Sequence, residues 1–246
     1  MGDLIASTLA TIFSIVVILR APGALRDPDR VRLWLAHLVM ALVLWLSVSA
    51  VYLSVDAILG GRNITNLVSH FGFYLMFWLG GAEVALGLGR DDLYRIIHGT
   101  IGAMILGGGL VAMTATFIAA APEYSAMGLD PFRGDPLIIF YKALSYLYPG
   151  FVAAVLIKPL LLAATESPRL LGASKRLMAV GFTLVPLVPM AHLGELVDPG
   201  YAMVVDLILY PAILFVLAGV TLAFIARQKI HRAGSSVQGY QAEHSD

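Results

Sequence analysis

The chain has 246 residues, 59% hydrophobic and 13% charged, with a formal net charge of zero and a mean hydropathy of +0.84. Soluble domains run at about 25% charged; half that value, with repeated apolar runs of roughly 20 residues, means a polytopic membrane protein. The neutral balance gives no reason to expect nucleic acid, and the lack of cysteine excludes disulfides, a thiol nucleophile and thiolate metal sites.

Seven spans are expected, at 4–20, 33–55, 66–87, 99–120, 137–163, 175–193 and 201–226, forming one all-α bundle over residues 1–226. The first is not a cleavable signal, because only Asp3 precedes its apolar core and the arginines Arg20 and Arg26 follow it. Arg20-Ala-Pro-Gly reads as a stop. Pro186 and Pro189 in span six and Pro211 in span seven each free a backbone carbonyl and bend a helix. Residues 227–246 read as a short, basic, disordered tail.

Loop charges set the expected orientation. Arg20, Arg26, Arg30 and Arg32 follow span one; Arg90 and Arg95 follow span three. Arg169, Lys175 and Arg176 follow span five; Arg227, Lys229 and Arg232 open the tail. The alternate loops hold only Arg62 and Arg133, which is twelve basic residues against two. By the positive-inside rule the N-terminus lies outside and the C-terminus in the cytoplasm, as for a multi-pass plasma-membrane protein.

Polar residues interrupt this pattern. Asn63, Asn66, His70 and Tyr74 recur at three- and four-residue spacing where span three begins, which stacks them on one helical face. Trp45, Ser49, Tyr52 and Asp56 repeat the spacing in span two. Span five brings Lys142 and Tyr146, span six His192 and Glu195, and span seven Asp206 and Tyr210. Each lies in the outer half of its span. Unpaired polar groups in hydrocarbon are costly, so these faces are expected to wall a polar, aromatic-lined chamber. Tyr141, Tyr148 and Tyr201 read instead as an interfacial aromatic belt. Lys142 is expected to neutralise Asp206 or Asp56, Arg62 to cover Glu195, and Glu83 to pair with a loop arginine.

The expected ligand is small and amphipathic or isoprenoid-like, and membrane lipids are the expected surroundings. Its site is drawn from Trp45, Tyr52, Asp56, Asn63, Asn66, His70, Tyr74, Lys142, Tyr146, His192, Asp206 and Tyr210. No cofactor or metal is expected, since no two histidines sit at ligand spacing on one helix. A retinal photoreceptor needs a Schiff-base lysine within span seven, which has none. Intramembrane acid catalysis is the alternative, with Asp206 or Glu195 as acid and His70 as base or ligand-orienting group. The run Gly107-Gly108-Gly109 allows close helix contact, within one protomer, in a homo-oligomer or with a partner subunit.

In length and helix count the chain is similar to small membrane-bound terpene cyclases, but their acidic motif has no counterpart in spans two and three. Asn63-Ile-Thr-Asn66-Leu67-Val-Ser-His70 more closely resembles the Asn-containing loop and Leu-x-x-His element of certain actinobacterial seven-helix membrane proteins. Those are labelled transporters and have no assigned function. The resemblance implies a bacterial source, and with it that the Asn63-Ile-Thr65 sequon carries no glycan. Those proteins often add a soluble C-terminal region; here only the short tail at 227–246 is expected after span seven.

Overall fold

A computed structural model describes residues 2–243 in backbone and 3–27 and 31–226 in side chains. Among the described residues all regular structure is helical. Five helical stretches are long and apolar enough to cross a membrane: Asp3–Ala24, Asp91–Ala120, Pro136–Thr165, Arg169–Gly194 and Tyr201–Ala226. A sixth arises if the bent pair Val31–Trp45 and Ser49–Ile58 is one span. The protein is therefore a helical, multi-pass membrane protein. The side chains of Arg30, Arg227, Lys229 and Arg232 lie outside the described residues.

Helix α1 (Gly2–Ala24) runs through the expected stop at Pro22. Trp34 and Trp45 of α2 (Pro28–Trp45) hold it, their indole N–H groups donating to Val17 O at 3.0 Å and Ser14 Oγ at 3.1 Å. Serine and threonine hydroxyls on α1 donate back to carbonyls three or four residues earlier, which satisfies them without solvent.

Span two is not one straight helix. α2 ends at Trp45, and α3 (Ser49–Ile58) leaves at 92°. No proline is present. The turn tightens instead: Ser47 N and Val48 N donate to carbonyls three residues back, and Ser47 Oγ donates to Val43 O at 2.9 Å. This corrects the single-face reading of Trp45, Ser49, Tyr52 and Asp56: Trp45 faces α1 on one side of the bend, and the others lie beyond it.

Helix α4 (Ile64–Gly87) follows, then α5 (Asp91–His98) and α6 (Thr100–Ala120). A loop containing a short 3₁₀ segment, Met127–Phe132, leads to α7 (Pro136–Leu144) and α8 (Leu147–Thr165). The break between these two falls at Ser145-Tyr146, because Pro149 has no N–H to offer Ser145 O and its ring crowds that carbonyl. Pro189 acts the same way between α9 (Arg169–Leu184) and α10 (Leu187–Gly194). α11 (Tyr201–Glu243) continues as helix beyond residue 226, into the stretch expected to be a disordered tail.

The core gathers around α8. Tyr148, Val152, Leu156 and Leu160 are almost wholly buried there, against α4, α5 and α9. Tyr141 and Tyr148 are fully buried, so they are core residues and not an interfacial belt; Tyr201 is 43% exposed. Small residues bring helices close: a Cβ on Gly181 would meet Val216, and one on Gly219 would meet Met178, at α9 against α11. Of the glycine run, only Gly109 sits in tight contact, on Tyr74; Gly107 and Gly108 face open space. α11 packs on α9 and α10, while α1 and α2 pack on each other and α2 on α4.

Candidate functional site

Between those two sets of helices lies a cavity of about 470 Å³, within the range of small-molecule pockets. One part of its wall is polar: Asn66 and His70 from α4, Lys142 from α7, His192 and Glu195 at the end of α10, and Asp206 from α11. The rest is apolar, from α1 (Leu9, Phe13), α2 (Met40, Val43), α4 (Phe73, Phe77) and α11 (Leu209, Val216).

The polar wall is held in defined hydrogen bonds. His70 Nδ1 lies 2.8 Å from Asn66 O and 3.0 Å from the Tyr141 hydroxyl. A carbonyl only accepts, so Nδ1 carries the hydrogen. The Tyr141 hydroxyl then donates to Asn66 Oδ1 at 2.7 Å and accepts from the imidazole. In the neutral ring Nε2 is left as an acceptor. His192 repeats the logic: Nδ1 donates to Glu195 Oε1 at 2.7 Å, leaving its Nε2. Tyr146 at the α7–α8 break stacks on His192, with ring centroids 5.7 Å apart, and meets Phe73 edge-on at 5.7 Å. The break thus turns a phenol and the neighbouring Ser145 into the cavity wall.

Glu195 therefore pairs with His192 and not with Arg62, which is exposed. Lys142 pairs with neither Asp206 nor Asp56; its nearest carboxylate is Asp130 at 4.0 Å. Asp206 is exposed along the cavity edge and has no hydrogen bond or ion pair among the described residues. Glu83 meets Arg32 at 3.4 Å, an arginine that the sequence puts in the loop after span one and the structure in α2. The groups considered for acid catalysis are thus a hydrogen-bonded Glu195, an exposed Asp206 and a His70 already oriented by Asn66. Among the described residues no three potential metal ligands converge.

Five expected site residues lie elsewhere. Asp56 is fully buried and accepts from Asn63 N at 2.8 Å, Thr65 N at 2.9 Å and Ser125 Oγ at 2.6 Å. These backbone donors open α4, so the carboxylate of α3 caps the next helix. Asn63, in the left-handed region at φ 60°, accepts on Oδ1 from Tyr52 Oη at 2.9 Å and Ala126 N at 2.7 Å, and donates to Tyr124 O. Tyr74 is buried in the core and its hydroxyl donates to Leu144 O, beside the broken α7 ladder. Trp45 bonds to α1. Tyr210 is 60% exposed and outside the cavity lining: cavity-facing residues of α11 run 202, 205, 206, 209, 212, 213, 216 and 217, so position 210 falls beside that stripe. Tyr52 belongs to both sets, lining the cavity while it bonds to Asn63.

Sequence reasoning missed Arg133 and the loop residues Met127 and Gly128, which also line the cavity. Arg133 carried a signal, as one of only two basic residues in the alternate loops. The phenylalanines Phe73 and Phe77 follow His70 at helical spacing and read as ordinary core.

No family model, curated protein or solved structure matches this chain.

Proposed function

We propose that the chain is a seven-span plasma-membrane protein, N-terminus outside, that binds a small amphipathic or lipid-like ligand in this cavity as a carrier, receptor or accessory subunit. The span count takes the bent pair α2–α3 as one crossing and adds α4. At 24 residues and 1.5 Å per residue α4 reaches about 36 Å. Its polar groups lower its hydropathy, but Asn66 and His70 face the cavity and Glu83 faces Arg32, so none needs lipid to accept it. The distribution of basic residues supports the orientation.

The observation that carries the binding reading is the division of a single cavity into a charged, hydrogen-bonding wall and an apolar one. A structural subunit that used its polar stripes only to clamp helices would close them on each other. Here Lys142, Asp206 and two imidazoles border space instead.

Native mass spectrometry of protein released from mild detergent tests the reading. The wild type should carry a bound amphiphile, and Lys142→Ala or Asp206→Ala should lose it while still inserting and folding. Equal retention by both variants would count against it. Turnover of a supplied isoprenoid by the purified protein would replace it with a catalytic reading.

A further inference from the structure

The cavity wall holds two opposite charges that do not meet. Lys142 on α7 has Asp130 Oδ1 at 4.0 Å, but that oxygen is held by Arg133 at 2.8 Å. Asp206 on α11 has no ionic or hydrogen-bond partner among the described residues, and it faces the same space. With no ion pair between them, both charges are left to a bound group of opposite sign, to which charge-assisted hydrogen bonds are the strong ones. Here the cavity lies between the helices that carry them.

A purely anionic head group would suit Lys142 and Arg133 but lie against Asp206 and Glu195. A purely cationic one would suit Asp206 and lie against Lys142. Either leaves a like charge opposed and partly stripped of water, which specific sites avoid. A head group with both signs leaves neither. The imidazole Nε2 atoms of His70 and His192 add acceptors for N–H or O–H groups. The apolar wall runs along α2, α4 and α11 and offers room for a chain.

We infer, resting on the binding reading above, that the ligand is a zwitterionic amphiphile: its anion taken by Lys142 with Arg133, its ammonium by Asp206, and its alkyl chain laid between α2–α4 and α11. The cavity then selects a head group by charge separation and not by net charge.

The test is a titration of purified protein in maltoside detergent with four probes: dodecylphosphoethanolamine, dodecyl phosphate, dodecylamine and phosphoethanolamine without a chain. The zwitterionic alkyl probe should bind at least tenfold tighter than either singly charged one, and the chainless head group should not bind. Lys142→Met should weaken the zwitterion and the phosphate about tenfold and spare the amine. Asp206→Asn should weaken the zwitterion and the amine and spare the phosphate. Lys142→Arg should keep most of the affinity, and unfolding midpoints should show all variants folded. A singly charged probe that binds as tightly as the zwitterion, or a zwitterion affinity untouched by Asp206→Asn, would overturn the inference. Binding of the chainless head group as tightly as the alkyl form would overturn the amphiphile. If none of the four probes binds a folded wild type, the binding reading itself fails.

Discussion

The loop staple and the cavity wall stand side by side along α3 and α4, yet they use the same residue types in opposite ways. In the staple, Asp56 and Asn63 spend every oxygen on local donors, and both are fully buried. One turn further along α4, Asn66 and His70 spend one side on each other and on Tyr141 and turn toward open space. Lys142 has only Asp130 at 4.0 Å, and Asp206 has no ion pair among the described residues. A polar group in a membrane protein thus says little by its presence. Its job is read from whether its bonding capacity is used up by the protein.

Several substitutions break or sharpen that contrast. The largest effect is expected at Asp56→Ala, which strands two backbone N–H groups and the Ser125 hydroxyl in a buried setting. At about 1–3 kcal/mol for each orphaned donor, partly relieved by water, a loss of roughly 3 kcal/mol is expected. Thermal unfolding in detergent should show it, with ligand affinity in the surviving folded fraction near normal. Gly109→Ala comes next. Its Cβ would lie 2.8 Å from Tyr74 Oη and 2.9 Å from Tyr74 Cε2, and overpacking of this kind costs about 1–3 kcal/mol. Gly107→Ala meets nothing within 4 Å and should be neutral or stabilising by up to about 1 kcal/mol. If both alanines destabilise equally, Gly107 packs against a second molecule. Tyr74→Phe removes one hydrogen bond to Leu144 O and should cost about 1 kcal/mol without moving ligand affinity. Lys142→Met should move the unfolding midpoint of ligand-free protein least of all, because it has no hydrogen bond through Nζ to lose.

The sequence was legible where a local rule decides the outcome. Length and apolarity identify the membrane helices, and helical spacing places Asn66 and His70 on a common face. Lys142, Tyr146, His192 and Asp206 were found because each interrupts an apolar run. Most of the failures trace to contacts between segments far apart in the chain. The 92° bend after Trp45 has no proline to announce it. That bend swings Asp56 onto the start of α4, where it meets Ser125 from a loop 69 residues away. Spacing alone cannot tell such a cap from a binding residue. Tyr210 was misplaced for a different reason: it stands four residues from Asp206, but the cavity-facing stripe of α11 passes through 209 and 213 instead.

Because the chain has no cysteine, single introduced cysteines report on one position each. The most direct measurement is the labelling rate of Lys142→Cys and Asp206→Cys against Thr65→Cys and Ser174→Cys, using a small, charged, thiol-reactive probe on folded protein. The account expects fast labelling at the first two, slowed when dodecylphosphoethanolamine is added, and almost none at the last two. Comparable rates at all four positions, or sealed thiols at 142 and 206, would contradict it.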